Sequence, residues 1–464
     1  MRSLLILSSA ALAFSLAQTM LIPALGELSH RLGTDASGIA WVLTGYLLAA
    51  AVATPIAGRL GDMFGKRRLL VLSLVVFGLG SGVAALGTSL GVVVAGRVLQ
   101  GFGGGIFPLC FGIIRDEFPR ERVAGSIGLI SSILGIGGGA GLVGGGLIAD
   151  HLSYHWIFWL GLITAALAAV ATQTWVPESP ERTPGRVDLP GAVLLGIGLV
   201  LPLIAISRAN DWGWGATRTI VLIAAGLAVL ALWVAVERRT EQPLAHIPTL
   251  LEPPVLLTNI ATMFVGFGMF GSFLLIPQLA ELPESTGFGF GLGATGAGLL
   301  MLPGALIMLF TGPISGALGT RYGSKLPLAI GAAVTSLGLT WLGLVHGTQF
   351  AVIVGSFVMS AGIGLAFAAM ANLIVEAVPP QQTGEATGIN TLTRSVGASI
   401  GSQVSAAIIA GTVVSATGFP TEGGFTAAFL VSAAVAALAA GIAVVIPRGA
   451  HHAIRARVPA LADG

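Results

Sequence analysis

The sequence PIAGRLGDMFGKRR occupies residues 55–68, and a degraded copy, PISGALGTRYGSK, occupies residues 313–325. The two copies begin 258 residues apart, and each one follows a long apolar segment and precedes another. Each copy is therefore predicted to be a short, basic loop, turned by glycine, between two membrane helices. Two related halves of this kind are typical of a transporter.

The composition indicates an integral membrane protein. The 464 residues are 55% hydrophobic and 9% charged, with a mean hydropathy of +0.92. A water-soluble globule of this length could not carry so little polarity on its surface. The formal net charge of +2 is spread over short loops, so no nucleic-acid partner is expected. The single cysteine, Cys110, excludes an internal disulfide and a thiolate metal site.

Fourteen apolar stretches are long enough to cross a bilayer. The first resembles a signal peptide, but its length suits a span and no small-residue cleavage site ends it. The sequence therefore predicts an all-α membrane protein. The predicted spans lie near residues 4–25, 38–58, 69–88, 90–114, 124–149, 155–174, 188–207, 218–236, 255–279, 292–315, 326–345, 349–375, 385–413 and 424–446.

Loop charges predict the orientation of these spans. The side that carries more Arg and Lys faces the cytoplasm. We therefore expect a multi-pass protein of the cytoplasmic (plasma) membrane with both termini in the cytoplasm. The residues on that side are Arg2, Arg59, Lys66, Arg67, Arg68, Arg115, Arg120, Arg122, Arg182, Arg186, Arg238, Arg239, Arg321, Lys325, Arg448, Arg455 and Arg457. The opposite side has Arg31, Arg208 and Arg218.

A second repeat supports the division into halves. Gly128, Gly137 and Gly141 of span 5 match Gly388, Gly397 and Gly401 of span 13, at a constant offset of 260 residues. We therefore predict an N-terminal six-helix bundle at residues 1–175 and a C-terminal six-helix bundle at residues 255–446. Residues 176–254 would form linkers and two inserted helices, and residues 447–464 a short cytoplasmic tail.

These motifs resemble the major facilitator superfamily. Residues 58–68 resemble its loop 2–3 signature, the run RVLQG at 97–101 its helix 4 signature, and span 5 its antiporter signature. The fourteen spans and the run WVLTGY at 41–46 are similar to its fourteen-spanner drug:proton antiporter branch of actinobacterial type. The resemblance implies a major facilitator fold, with two six-helix bundles plus two inserted helices and a proton gradient as the energy source without another cofactor. We expect a functional monomer.

The resemblance also implies a conformational latch in loop 2–3. The Asp62 carboxylate would face the positive N-terminal end of span 13, near residues 383–384, and favour the outward-open state. A solvated loop that only sets topology is the alternative. The predicted latch residues are Gly58, Asp62, Gly65, Lys66 and Arg67.

Two arginines within spans predict a proton or substrate relay. Arg97 lies roughly seven residues into span 4, about 10 Å deep at 1.5 Å per residue, where a guanidinium must face protein, water or a partner unless it snorkels outward. Arg394 lies within span 13, where lipid exposure would be unfavourable. The predicted relay residues are Arg97, Gln100, Gly101, Asn390 and Arg394.

Span 5 is glycine-rich, so another helix can approach it closely and rock against it. We predict a hinge at Gly137, Gly141 and Gly145. Residues 139–144 match G-x-G-x-x-G, but inside a span this pattern does not indicate nucleotide binding. Leu142 stands where the family's antiporter signature has proline, which weakens the inference of antiport.

Span 1 departs from the family pattern as well. Ala17 occupies the position where the family usually places an aspartate, and no carboxylate is predicted deep in any span. Proton coupling would then use acids near the membrane surface, such as Asp62 or Glu385, or a proton carried by the cargo.

A cargo cavity is predicted between the halves, lined partly by an aromatic stripe on span 9. Packing against lipid or core is the alternative for that stripe, and a belt position is the alternative for Trp41. The buried arginines favour anionic or zwitterionic amphipathic cargo. The candidate cavity residues are Gln18, Thr19, Trp41, Tyr46, Phe267, Phe270 and Gln278.

The expected function is secondary active export of small amphipathic compounds (drugs, antibiotics) by alternating access, in exchange for protons. A narrow-specificity exporter of a metabolite or biosynthetic product is the alternative within the class.

No Walker sequence occurs, which argues against an ATPase pump. A membrane enzyme would need a catalytic cluster, and Asp150, His151 and His155 form the only candidate; neither an enzyme nor a metal site is expected. A channel would need a charged filter ring, which is not visible.

Overall fold

The computed structural model describes residues 2–34, 36–180, 188–241, 243–414 and 418–447. Within these ranges, fourteen helices have 18 or more residues. They are α1 (Arg2–Thr19), α2 (Ala36–Phe64), α3 (Lys66–Ala85), α4 (Leu90–Glu117), α5 (Arg120–His151), α6 (His155–Trp175), α7 (Leu189–Ser207), α8 (Thr217–Glu237), α9 (Pro253–Glu281), α10 (Ala294–Tyr322), α11 (Lys325–Leu344), α12 (Gln349–Ala377), α13 (Thr383–Ala410) and α14 (Glu422–Val445). The predicted all-α fold is confirmed.

Thirteen of these helices are long and apolar enough to cross a bilayer, judged by length and composition. Among the long helices of the described ranges, α13 is the exception, because hydroxyl, amide and guanidinium side chains lower its hydropathy. Several of those side chains face a cavity. A helix that lines a cavity can be more polar than one that faces lipid.

The two repeated loops turn at glycine in the same way. Gly65, between α2 and α3, has a φ of 110°, and Gly323, between α10 and α11, has a φ of 86°. Side chains other than glycine rarely adopt this backbone region. The repeat seen in the sequence therefore reflects a shared requirement for a sharp turn between two helices.

Packing follows the repeat as well. Gly137 and Gly141 of α5 lie against α1, and their counterparts Gly397 and Gly401 of α13 lie against α9. In both halves the missing side chains let the neighbouring backbone approach closely.

The helix α4 is interrupted where it crosses α2. A 3₁₀ turn occupies Phe102–Gly105. A Cβ atom on Gly101 would lie 2.8 Å from the carbonyl oxygen of Tyr46, and one on Gly104 would lie 2.9 Å from that of Ala50. The glycine run therefore allows α4 to pack directly on the backbone of α2.

Most helices of α1–α6 pack mainly on one another, as do most of α9–α14, but α5 packs chiefly on α10. The pairs α2–α13 and α5–α10 make close contact across the two groups. Helices α7 and α8 pack together, and α7 also contacts α2 and α13 through Leu195, Leu199 and Leu203. The exact domain boundaries remain a prediction. Residues 181–187 of the first predicted linker and 448–464 of the predicted tail lie outside the described residues.

Candidate functional site

The end of the molecule that carries Gly65 and Gly323, here called the loop end, contains a buried carboxylate bridge. Asp62 is fully buried, and its two carboxylate oxygens accept hydrogen bonds from the backbone nitrogens of Gly384 (3.2 Å) and Glu385 (3.0 Å). These nitrogens belong to the first turn of α13, where the helix dipole favours a negative charge. Asp62 therefore joins α2 to α13 at the position that the family resemblance implied.

Lys66 neutralises this carboxylate. Its ammonium nitrogen lies 3.3 Å from Oδ1 of Asp62 and donates a 2.7 Å hydrogen bond to Oδ2 of Asp116 on α4. Lys66 and Asp62 are both fully buried. One cation therefore compensates two carboxylates in the interior, and loss of Lys66 would leave both of them buried without a partner.

The backbones of α2 and α13 touch beside Asp62. A Cβ on Gly58 would overlap the carbonyl oxygen of Gly384, and a Cβ on Gly384 would lie 2.5 Å from the carbonyl oxygen of Gly58. Further along, a Cβ on Gly388 would lie 2.9 Å from Cα of Pro55. Residues 55–62 and 384–388 thus form a seam, here called the α2–α13 seam. At Gly58, Gly384 and Gly388 it leaves no room for a side chain.

The rest of the loop is held by the segment after α6. Arg67 donates its backbone N–H to Oε1 of Glu178 (3.0 Å), and its guanidinium donates to the carbonyl oxygen of Val176 (3.3 Å). The sequence did not single out Glu178. Its position between two prolines in a polar linker gave no local signal of this contact.

Arg115 forms a second bridge between the two groups of helices, and sequence reasoning missed it as well. From α4 it donates hydrogen bonds to the carbonyl oxygens of Val378 (2.7 Å) and Pro379 (3.3 Å), and to the hydroxyl of Thr383. A cation at the C-terminal end of α12 satisfies carbonyl groups that have no partner within the helix.

Glu385 is a buried acid at the same seam. Its carboxylate lies 3.9 Å from the Arg59 guanidinium and accepts a hydrogen bond from the backbone nitrogen of His246. The acid therefore connects α2, α13 and the linker that follows α8.

Arg97 is buried within its helix bundle. Its guanidinium donates hydrogen bonds to the carbonyl oxygens of Val42 (3.0 Å) and Ala17 (3.3 Å) and to Gln100 Oε1 (2.9 Å), and it stacks on the ring of Tyr46 at 4.2 Å. With 1% exposure, Arg97 does not snorkel. The arginine ties α4 to α1 and α2 and sits behind Tyr46.

Two other predicted relay residues continue this arrangement. The Gln100 amide donates a 2.6 Å hydrogen bond to the hydroxyl of Ser81, and Gly101 packs on the backbone of Tyr46. The fourth, Asn390, donates to Asn259 and Thr262, both at 2.8 Å, which links α13 to α9. Among the described residues these groups form buried polar contacts between helices.

A cavity of about 420 Å³ lies between the halves, on the side of the α2–α13 seam away from the loop end. Helices of both halves line it, together with α7. Four of the predicted cavity residues line it, namely Gln18, Tyr46, Phe270 and Gln278. Arg394 is the only charged residue among the described residues that line this cavity.

The structure places the other three predicted cavity residues elsewhere. Thr19 donates a 2.7 Å hydrogen bond to the carbonyl oxygen of Gly137, and Phe267 lies with its backbone against α13. Trp41 borders a separate apolar groove, with the Arg208 guanidinium 5.2 Å from its ring. The sequence could assign these residues to a helix but not to a face of it.

The predicted hinge glycines of α5 face α1. A Cβ on Gly137, Gly141 or Gly145 would overlap Ser15, Thr19 or Met20, respectively. A different row of α5 glycines faces α10, along what is here called the α5–α10 seam. It consists of Gly128, Gly135, Gly139 and Gly146, against Gly312, Met308, Ala305 and Thr295.

The Asp150, His151 and His155 cluster has other partners. Asp150 accepts a 2.6 Å hydrogen bond from Thr295, and His155 pairs with the Ser153 hydroxyl at 2.7 Å. Within the described part of the chain, no group of three His, Cys, Asp or Glu residues is arranged to hold a metal ion.

The fold and these motifs together define a membrane transporter. The family model of the Major Facilitator Superfamily matches residues 7–402, so the chain belongs to that family. It is a multi-pass membrane protein that transports small molecules, and not an enzyme.

Three relatives cover most of the chain. The tetracenomycin C resistance and export protein of Streptomyces glaucescens is 27% identical over 89% of this chain and 76% of its own. The multidrug resistance protein Stp of Mycobacterium tuberculosis is 28% identical over 83% and 72%, respectively. The uridine/deoxyuridine transporter of Lactococcus lactis is 30% identical over 83% and 82%.

Two solved structures share the fold. The proton:xylose symporter XylE has a TM-score of 0.67 and 14% identity, with 96% of this chain and 95% of that chain covered. The human organic anion transporter MFSD10 has a TM-score of 0.62 and 16% identity, with 95% and 99% covered. At these identities the likeness supports the fold alone.

Proposed function

We propose that this protein exports small amphipathic compounds (drugs, antibiotics) across the cytoplasmic membrane by alternating access, in exchange for protons. The observation that carries the proposal is the cavity of about 420 Å³, which is lined by helices of both halves and closed toward the loop end by the α2–α13 seam. A site between two rocking bundles can face each side of the membrane in turn.

The α2–α13 seam is the proposed gate. It joins α2 to α13 at residues 55–62 and 384–388, whereas residues 43–54 of α2 and 391–406 of α13 are separated by the cavity. Opening the loop end requires Asp62 to leave the N-terminus of α13. While the loop end is closed, the latch would stabilise the state in which the cavity faces outward. The latch consists of Gly58, Asp62, Gly65, Lys66 and Arg67.

Residues behind the cavity wall have a positioning role in this proposal. Arg97 and Gln100 hold Tyr46 in place through stacking and through hydrogen bonds from α4 to α1, α2 and α3. Asn390 holds α13 against α9 in the same way. A cargo in the cavity would contact Tyr46 and Arg394 directly.

The proposed proton sites lie at the loop end. The described lining of the cavity contains no carboxylate, whereas Asp62 and Glu385 are buried at the seam and connected through the first turn of α13. Protonation of Asp62 would remove the negative charge that favours its place at the helix terminus. Proton binding would then weaken the latch, which is what exchange requires.

The names of two relatives support antibiotic-like cargo. They are a tetracenomycin C export protein and a multidrug resistance protein. The third relative is a uridine/deoxyuridine transporter, and this favours a second candidate, a transporter with narrow specificity for a metabolite or biosynthetic product. A panel of amphipathic compounds and nucleosides separates the two, since a narrow site binds one chemical class.

Orientation and assembly complete the proposal. The excess of Arg and Lys at the loop end supports a cytoplasmic position for Gly65 and Gly323, with both termini inside. We also propose a functional monomer, because the two halves of one chain can together form the cavity.

The test is transport by purified protein in proteoliposomes. With an acidic lumen and a neutral exterior, a labelled amphipathic probe should accumulate, and a protonophore should abolish the accumulation. Uptake that is equal with and without the pH gradient would contradict proton exchange. No gradient-driven movement of any panel compound would contradict export.

A further inference from the structure

One cation in the cavity, Arg394, has no polar partner in the part of the chain that the structure describes. The Arg394 guanidinium forms no hydrogen bond and no ion pair with any described residue. Its guanidinium stacks on the ring of Phe367, 4.8 Å from the centroid, and borders the cavity. A stack on an aromatic ring orients the guanidinium but does not neutralise it.

The other buried arginines differ from Arg394. Arg97 donates three hydrogen bonds and Arg115 also donates three, while Arg59 lies 3.9 Å from a carboxylate. Each of these three guanidiniums thus has polar partners inside the protein, although Nη2 of Arg97 is buried without a hydrogen bond of its own, behind Tyr46. The donors of Arg394 therefore remain available to a bound molecule.

A cation held in a poorly solvated cavity without a counter-ion is unfavourable. A bound anion removes that penalty and gains charge-assisted hydrogen bonds, and the planar guanidinium fork suits carboxylate and sulfonate groups in particular. The cavity is thus better matched to an anionic guest than to a neutral or a cationic one.

The residues that line the cavity around Arg394 indicate what the uncharged part of the bound molecule should be. On α13, the hydroxyls of Thr391, Ser395, Ser399 and Ser402 line the same cavity. The aromatic residues Phe14 and Phe107 of the N-terminal half and Phe270 of α9 line it as well. A lining that combines hydroxyl-bearing and aromatic residues suits a planar aromatic body that carries oxygen atoms.

We propose that Arg394 binds an anionic group of the cargo, so that the preferred substrates are amphipathic aromatic anions. The inference rests on the proposed export function and adds the substrate class to it. The anionic group comes from the cargo, and chloride from solution is the competing source.

The test uses two fluorescent probes with one ring skeleton. The first is 8-anilinonaphthalene-1-sulfonate, an anion, and the second is N-phenyl-1-naphthylamine, which lacks the sulfonate. Binding is measured on protein in nanodiscs, with the signal of empty nanodiscs subtracted. The wild type should bind the anion about 10- to 100-fold more tightly, the factor expected for a charge-assisted hydrogen-bonded pair.

Two substitutions separate charge recognition from folding. Arg394→Gln should weaken binding of the anion by about 10- to 100-fold while binding of the neutral probe changes less than about 3-fold. Arg394→Lys, which keeps the charge but loses the fork, should fall between the two. Arg218→Gln, on α8 with its guanidinium over Trp212 and outside the cavity, is the matched control and should leave both affinities unchanged.

Equal affinity of the wild type for both probes would overturn the inference, as would an unchanged preference in Arg394→Gln. If the wild type no longer prefers the anionic probe at about 0.15 M chloride, the site binds chloride and the inference is overturned as well. If the neutral probe is bound and transported without a preference for the anion, export stands and the substrate class is wrong. If the wild type neither binds nor transports any probe, both proposals fall.

Discussion

Two of the helix pairs that join the halves share a backbone arrangement but differ in chemistry. At the α2–α13 seam Gly58 meets Gly384, and at the α5–α10 seam a Cβ on the matching Gly316 would lie 2.5 Å from the carbonyl oxygen of Ala124. Beside Gly58 stands Asp62, which bonds the neighbouring helix, but the residue matching Asp62 is Thr320. It donates only to Gly316 in its own helix, among the described contacts.

The two seams also differ in length. Contacts between α5 and α10 run from Ala124 to Asp150, close to the full length of α5, whereas α2 and α13 separate around the cavity beyond the loop end. We infer that the α5–α10 seam is the axis about which the halves rock and that the α2–α13 seam is the gate. Both seams thus have the close glycine contact between helices, but only the α2–α13 seam has a charged side chain, Asp62, that bonds the neighbouring helix.

The largest effect is expected from Asp62→Asn. Losing the charge removes two charge-assisted hydrogen bonds, each worth about 1.5–3 kcal/mol, and turns an amide N–H₂ group toward a backbone N–H. Gradient-driven uptake in proteoliposomes should be abolished, with normal amounts of protein in the membrane.

Thr320→Val is the matched substitution at the other seam and should retain transport. Equal loss in both variants would mean that the two seams do not differ in function. Wild-type transport by Asp62→Asn would remove the latch from the mechanism.

Lys66→Met should be the next most severe change. It leaves Asp62 and Asp116 buried without a cation, at a cost of about 3–5 kcal/mol, and should lower the thermal unfolding midpoint in detergent. Adding Asp116→Asn should recover part of the loss, because one uncompensated charge is then removed. Additive losses in the double variant would contradict the shared ion pair.

Gly58→Ala should have an intermediate effect. The new methyl group overlaps the backbone of α13, and overpacking of this kind costs about 1–3 kcal/mol. Gly316→Ala should lower stability by a similar amount, but only Gly58→Ala should increase labelling, by a thiol reagent, of a cysteine introduced at Gln381 in a Cys110→Ser background. Gly125→Ala, which has open space around the new Cβ, is the control and should change neither property.

Ser324→Ala should have the smallest effect. Ser324 matches Lys66 and donates a 2.7 Å hydrogen bond to Glu376, which matches Asp116. Because Glu376 is exposed, water can replace the hydroxyl, and the loss should be about 0.5–1.5 kcal/mol. A thermal shift as large as that of Lys66→Met would contradict the view that charge is concentrated at one seam.

Much of the fold could be predicted because its signals are local. Apolar runs gave the helices, and the glycines at 65 and 323 gave the two turns. The buried position of Arg97 followed from its depth in a span.

The contacts across the halves could not be predicted in the same way. Arg115 and Thr383 are 268 residues apart in sequence, and no local pattern pairs them. Trp41 and Phe267 lie outside the lining of the cavity, because the partner helices decide which face of α2 or α9 meets the cavity.

The most direct measurement of the gate is a pair of distances by pulsed electron spin resonance, with Cys110 replaced by serine. Labels at the exposed residues Phe64 and Gln381 report on the α2–α13 seam, and labels at the matching exposed residues Tyr322 and Glu121 report on the α5–α10 seam. We predict that Asp62→Asn adds a longer distance to the first pair and leaves the second pair unchanged. Identical distributions in wild type and variant at the first pair would contradict the account.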